Sequence, residues 1–225
     1  MVMAYEARLG GYQGPRGYVY EVTGGEICLD FTNTLEGRPT GRREDRLVSY
    51  EELLNWAGQA GVLTLSEQKQ LHRRVVNRKK EADRVLEQAK ELRAALFDLF
   101  RAYNIDRSFP PVSVEILNRY LIEAFRHRRL EPAPKFLSWN WVKEDVHLKR
   151  ILWPVALSAA TILTSERLER VRVCSSETCD WLFLDESRNQ TRRWCNMLVC
   201  GNRQKARLHY RRKKRAANRL STTRK

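Results

Sequence analysis

The chain is defined first by what it lacks. No apolar run is long enough to cross a bilayer. The most apolar stretch, Ile151 to Leu163, is short and is interrupted by Pro154 and Ser158. The first residues carry Glu6, Arg8 and several glycines where a secretion signal needs an apolar core, so no export is expected. No P-loop, GxGxxG, GxSxG, HExxH or paired-carboxylate motif occurs, and no enzyme constellation is visible. The histidines, His72, His127, His147 and His209, are dispersed, with no metal spacing and no catalytic partner. Acidic residues are absent after Gly201. These absences set the expectation of a soluble, cytoplasmic, non-enzymatic protein in a reducing compartment, with no membrane partner.

The chain has 225 residues, which allows one or two domains and a sizeable core. Its formal net charge is +15, and the excess is unevenly placed. Residues 167–225 hold 17 Lys and Arg against 5 Asp and Glu, and eleven of those cations follow Gly201. Such an asymmetry points to a polyanion, nucleic acid first and an anionic membrane surface second.

Four of the five cysteines fall between residues 171 and 203: Cys174, Cys179, Cys195 and Cys200. They read C-x4-C, fifteen residues, C-x4-C. Zinc takes four ligands at tetrahedral corners, and a tight knuckle delivers two thiolates at once. Two knuckles would close the site, making one Zn(2+) structural rather than catalytic. Disulfides, free buried thiols and an iron–sulfur cluster compete with that reading. Cys28, in an apolar run, reads as a small buried hydrophobe.

The rest of the chain reads as α+β. A mainly helical N-terminal domain with a small hairpin or sheet is followed by a small four-cysteine zinc-binding module and a basic C-terminal helix. Residues 1–16 are a flexible lead, 17–166 the first domain, 167–215 the zinc module with its helix, and 216–225 a basic tail. Tyr18–Thr23 and Ile27–Phe31 flank Gly24-Gly25 and suggest a hairpin. Residues 36–46 suggest a polar loop. Ser49 with Glu52 suggests a capped helix ending at Gly61. Ser66 opens a helical run, continuous from Glu67 to about Tyr103, with Val75, Val76, Leu86, Ala89, Leu92, Leu96 and Leu99 on its apolar face. Its local basic run, Arg73 to Lys80, reads as a solvated face. Ser113 caps a further helix, Leu130–Pro134 is a loop, and Phe136–Val142 is a strand without an evident partner. Leu148–Leu163 is a buried central helix. The join at residues 164–168 is short, so the two parts should pack together.

Within the module, Val171–Val173 and Trp181–Leu184 should form two short strands joined to the knuckles, with Trp181 and Trp194 covering the metal. Gly201 should permit an unusual dihedral, and Asn202 should cap the following helix. On that helix Arg203, Arg207, Arg211 and Lys214 fall on one stripe. The candidate nucleic-acid contacts are Asn202, Arg203, Lys205, Arg207, Arg211, Arg212, Lys213, Lys214 and Arg215. Asn202 and Arg203 could equally brace the zinc fold. Asp30 and Asn33 are read as turn and cap chemistry, or as contacts to a small-molecule ligand.

These residues carry a resemblance. Cys200-Gly201-Asn202-Arg203, with Trp194-Cys195 and Cys174-x4-Cys179-x-Trp181-x-Phe183, resembles the CGNR zinc finger over about residues 171–214. Leu29-Asp30-Phe31-x-Asn33-Thr34 is similar to the opening of the ABATE domain that usually precedes it. The resemblance implies a bacterial, stress-linked transcriptional regulator whose α/β N-terminal domain senses an effector or forms a homodimer. DNA is the expected partner. RNA binding by the same module is the first alternative, and an enzyme with a catalytic first domain the second.

Overall fold

A computed structural model describes residues 11–15, 17–36, 44–142 and 147–222, with side chains as far as Lys214. Most of the expected lead, the tail beyond residue 222 and the side chain of Arg215 lie outside the described residues. Two strands, β1 (Gly11–Gly14) and β2 (Gly17–Tyr20), form an antiparallel hairpin. The hairpin expected around Gly24-Gly25 is therefore not formed, because Ile27–Thr32 is helix α1. Cys28, Leu29, Asp30, Phe31 and Thr32 are all buried, and so short a buried run carries no period that separates strand from helix.

Strands β3 (Leu35–Glu36) and β4 (Glu44–Asp45) pair across the expected polar loop, whose residues 37–43 lie outside the described set. Helix α2 (Tyr50–Gln59) starts where Ser49 Oγ accepts the Glu52 amide at 3.2 Å. Helix α3 (Leu65–Val75) is capped by Thr64 rather than Ser66, in a reciprocal box with Glu67. The continuous helix expected from Glu67 is in fact two, α3 and α4 (Lys79–Asp106). Val76, expected on the apolar face, is 74% exposed, so no packing carries the first helix on, and Arg78 leaves helical geometry at φ −133°. Helix α5 (Pro111–Arg126) begins two residues before the expected cap, with Pro111 in its first turn, where proline has no amide to lose. Of the loop expected over Leu130–Pro134, residues 130–132 belong to β5 (Arg128–Pro132), which supplies the missing partner for β6 (Leu137–Trp141), and only Ala133 and Pro134 lie in the turn between them. A 3-10 turn, Leu148–Ile151, leads into α6 (Leu152–Leu163), the buried central helix. Pro154 is in its first turn and breaks no bond. Among the described residues no helix is long and apolar enough to cross a membrane.

A second 3-10 turn, Glu166–Arg170, joins α6 directly to β7 (Val171–Val173), which pairs with β8 (Leu182–Leu184). A π-helical turn, Met197–Gly201, then opens α7 (Asn202–Thr222). Strand alternation divides β8 and the residue before it between two cores. Leu182 and Leu184 join the main core with α1, α4 and α6, whereas Trp181 and Phe183 join the cysteines in a second, small cluster.

The outer edge of β8 is closed by α1 and the turn before it. Asn33 Nδ2 donates to Leu182 O, and Leu182 N donates back to Asn33 Oδ1, both at 2.9 Å. Leu184 N donates to Gly24 O at 2.7 Å. Gly25 has φ +85°, and a Cβ there would meet Leu184 Cβ at 3.3 Å, so this close approach requires glycine. The amide of Asn33 thus acts as a one-residue neighbouring strand. Asn33→Ala would leave a buried donor and a buried acceptor unpaired, at about 1–3 kcal/mol each. The expected outcome is a loss of about 2–4 kcal/mol in chemical denaturation, larger than for Asn55→Ala at the partly exposed rim.

Candidate metal centre and basic helix

The four cysteine Sγ atoms lie within 4.8 Å of one another, and all four residues are buried. Cys179–Cys195 and Cys195–Cys200 are each separated by 3.7 Å. A disulfide brings two sulfurs to about 2 Å. Four thiolates about 2.3 Å from one zinc stand about 3.8 Å apart. The donor set and its spacing fit one structural zinc, and all four cysteines are free of disulfides. Zinc, when bound, ties the two knuckles together and holds its ligands as thiolates.

Backbone geometry places each knuckle. Cys174 N donates to Trp181 O at 2.8 Å, and Cys179 N to Ser176 O at 3.0 Å, closing the first. In the second, Asn196 Oδ1 accepts Leu198 N at 2.8 Å, and Asn196 O accepts Cys200 N at 2.9 Å. The expected cap, Asn202, is instead exposed and already helical at φ −66°, so Asn196 is the capping residue. Gly201 has no positive φ. Its missing Cβ leaves room for Met197 Sδ, which a Cβ would meet at 2.4 Å. Arg192, which sequence reasoning passed over, stacks 4.5 Å from the Phe183 ring and donates to the carbonyls of Trp194 and Cys195. Trp181 is buried and Trp194 half-buried against the cysteines, where they form the small core.

The basic helix leaves this centre with two different faces. Arg203 Nη1 donates to Thr178 Oγ1 at 3.0 Å. Arg207 and Arg211 both reach Glu177, at 3.2 and 3.3 Å. Thus three members of the expected stripe rest on the first knuckle. Glu177 and Thr178 were missed in the sequence, although Glu177 is the acidic residue between the first two ligands of a strongly basic module. On the other side, Asn202, Lys205, Arg212 and Lys213 are exposed, as is Lys214, and none of these cations has a partner among the described residues.

Asp30 and Asn33 sit elsewhere, at the junction. Asp30 Oδ1 accepts Gly24 N at 2.7 Å, and Asn33 holds Leu182. Thr32 and Thr34 hydroxyls donate to Leu29 O and Phe31 O, each at 2.7 Å, which closes the helix end locally. Burial pushes the Asp30 carboxyl up to about 7, against the Gly24 hydrogen bond. Two of the histidines that look scattered in sequence meet in space: the rings of His127 and His147 are 4.8 Å apart beside Trp153.

Two outcomes follow. Structural zinc contributes about 10–16 kcal/mol to small zinc modules, as much as a whole domain's stability. Chelation should therefore release one zinc and change the fluorescence of Trp181 and Trp194. Because β8 is shared, it should also lower the melting temperature of the first domain. For Asp30, a carboxyl whose folded pKa lies above its unfolded value loses stability as pH rises between the two. Relative to Asp30→Asn, which keeps the acceptor, the native protein should lose about 3 kcal/mol between pH 5 and pH 8. The difference between the two unfolding curves measures it, since any thiolate effect is common to both.

Comparison with known families agrees with this architecture. A family model described as "ABATE: putative stress-induced transcription regulator" matches residues 25–166. The CGNR zinc finger matches residues 170–213. No significant match to a curated protein is found. With more than half of the chain matched by the first model and the cysteine quartet inside the second, the chain belongs to the ABATE family and carries a CGNR zinc finger directly after that domain.

Proposed function

We propose that the protein is a cytoplasmic DNA-binding transcriptional regulator of bacterial type. In this reading α7 docks on duplex DNA, and the N-terminal domain holds a small-molecule effector or a partner subunit. One observation carries it: α7 grows out of the metal centre, contains no acidic residue, and turns toward solvent a face of cations that nothing in the described protein neutralises. A helix this polar has little core to stabilise it and gains from phosphates.

The two faces divide the work. Lys205, Arg212 and Lys213 contact phosphates from the open face, and Lys214 does so from the end of the bracing stripe beyond the knuckle, with Arg215 continuing the run in the sequence. Asn202, exposed at the helix start, reads a base edge. Arg203, Arg207 and Arg211 brace the helix against the first knuckle and approach DNA only from the flank. A regulator rather than a catalyst is favoured because the polar atoms of Asp30 and Asn33 are committed to Gly24 and Leu182. An effector would enter the cleft of about 160 Å³ lined by Leu35, Arg93, Phe97, Asp98, Arg101 and Asp180, which adjoins both the first domain and the first knuckle.

Selection from a random duplex pool, followed by salt titration, tests the reading. A preferred duplex sequence should emerge. Lys213→Ala and Arg212→Ala should each weaken all sequences alike and reduce the salt slope by about 1. Arg203→Ala should lower zinc retention more than sequence preference. Preference for structured or single-stranded RNA over every duplex would overturn the DNA reading in favour of RNA.

A further inference from the structure

The outer face of α5 is unusually apolar for a surface. Ile122 and Phe125 are 54% and 57% exposed, and Val112 and Val114 are also open to solvent. Leu121, Ile122 and Phe125 floor a shallow groove along the helix. The chain passes from this helix directly into β5, and the β5–β6 hairpin carries exposed apolar side chains of its own. Leu130 and Trp139 face each other across β5 and β6, and both are exposed, as are Leu137 and Phe136 at the hairpin's end. An apolar surface of this kind on a folded chain marks an interaction site.

We propose that this face is where a second copy of the chain docks, with the two α5 helices packed antiparallel about a two-fold axis near Leu121. The charges at the groove's ends single out that occupant. Glu115 lies at one end and Arg126 at the other, both exposed, and neither is ion-paired among the described residues. They are eleven residues apart, about 16 Å along the helix. An isologous pair brings residue i to j and j to i. Turning one helix over therefore sets Glu115 against Arg126 of the second copy at both ends, while Ile122 of each copy closes over Asn118 of the other and the two Leu121 side chains meet near the axis. The nearby Arg119 is hydrogen-bonded to Glu91 at 2.7 Å and feels Glu115 only as a weaker, longer-range charge. One helix face is narrower than the roughly 800 Å² per partner that stable dimers bury, so the hairpin's Leu130, Phe136 and Trp139 complete the contact.

The inference deepens the partner-subunit half of the proposed function. Its test reads oligomeric state without nucleic acid, so the two can fail separately. Sedimentation equilibrium of the zinc-loaded full chain should give a dimer. Glu115→Arg and Arg126→Glu place like charges at both ends of the interface, and each should raise the dimer dissociation constant at least tenfold. Both positions are solvent-exposed, so folding is retained. An equal mixture of the two variants regains opposite charges at both ends and should form a heterodimer with near-native affinity. Ile122→Asp should give monomers with unchanged circular dichroism. A native protein that stays monomeric at hundreds of micromolar would overturn the proposal. So would a dimer indifferent to these reversals, or a mixture that does not restore it.

Discussion

The structure depends on one strand being buried on both faces. Leu182 and Leu184 fill the main core while Trp181 and Phe183 wall the cysteine cluster. Burying Leu182 and Leu184 contributes about 2 kcal/mol each, and that contribution exists only if the strand is held straight. β7 holds one edge. Asn33 and Gly24 hold the other, through a side-chain amide and a turn carbonyl. A strand so fixed delivers Cys179 and Trp181 to the metal with little freedom left. The domain therefore orders half of the metal centre before any ion binds, and the ion in turn fixes the end of a core strand.

The same logic governs the basic helix. A segment with this charge density would repel itself and fray if left alone. Glu177 and Thr178 give three successive turns of it somewhere to rest. Each of these contacts is partly exposed and weak alone, since solvent screens such pairs to about 1 kcal/mol or less. Their value is directional. They choose which side of the helix faces the knuckle and leave the opposite side, with Lys205, Arg212 and Lys213, outward. A two-sided cationic helix thus acquires an inside and an outside.

What the sequence disclosed follows from how local each constraint is. The four cysteines were legible because zinc chemistry dictates both residue type and spacing. Their strands and the covering tryptophans followed from alternation over a few residues. The cap at Ser49 and the charge asymmetry were legible for similar reasons. Helix α1 was not, because six buried residues show no period. Nor was the partner of β6, since Arg128–Pro132 is too polar to read as strand until Trp139 and Trp141 stand opposite it. The break at Val76 to Arg78 reflects missing tertiary contacts, not a breaker residue. The role of Asn33 lies with a partner 149 positions away, and that of Glu177 with arginines on the far side of the second knuckle. Separations of this size are beyond any local pattern.

Those long-range contacts also define the route by which the first domain could influence the helix. The covalent join from α6 to β7 is a single 3-10 turn. It transmits position, but the strand it feeds is clamped by α1. Any rearrangement of the domain that moves the knuckle must therefore displace α1 from β8 or carry it along. Asp30 stands at that point. Its carboxyl holds the Gly24 amide, and the Gly24 carbonyl holds Leu184. A change of charge or hydrogen bonding there reaches β8 through two bonds, and β8 reaches Cys179 within three residues. The polar residues of this stretch, read in the sequence as turn chemistry or as ligand contacts, are thus spent on the junction at Asp30 and Asn33, while Thr32 alone borders the neighbouring cleft.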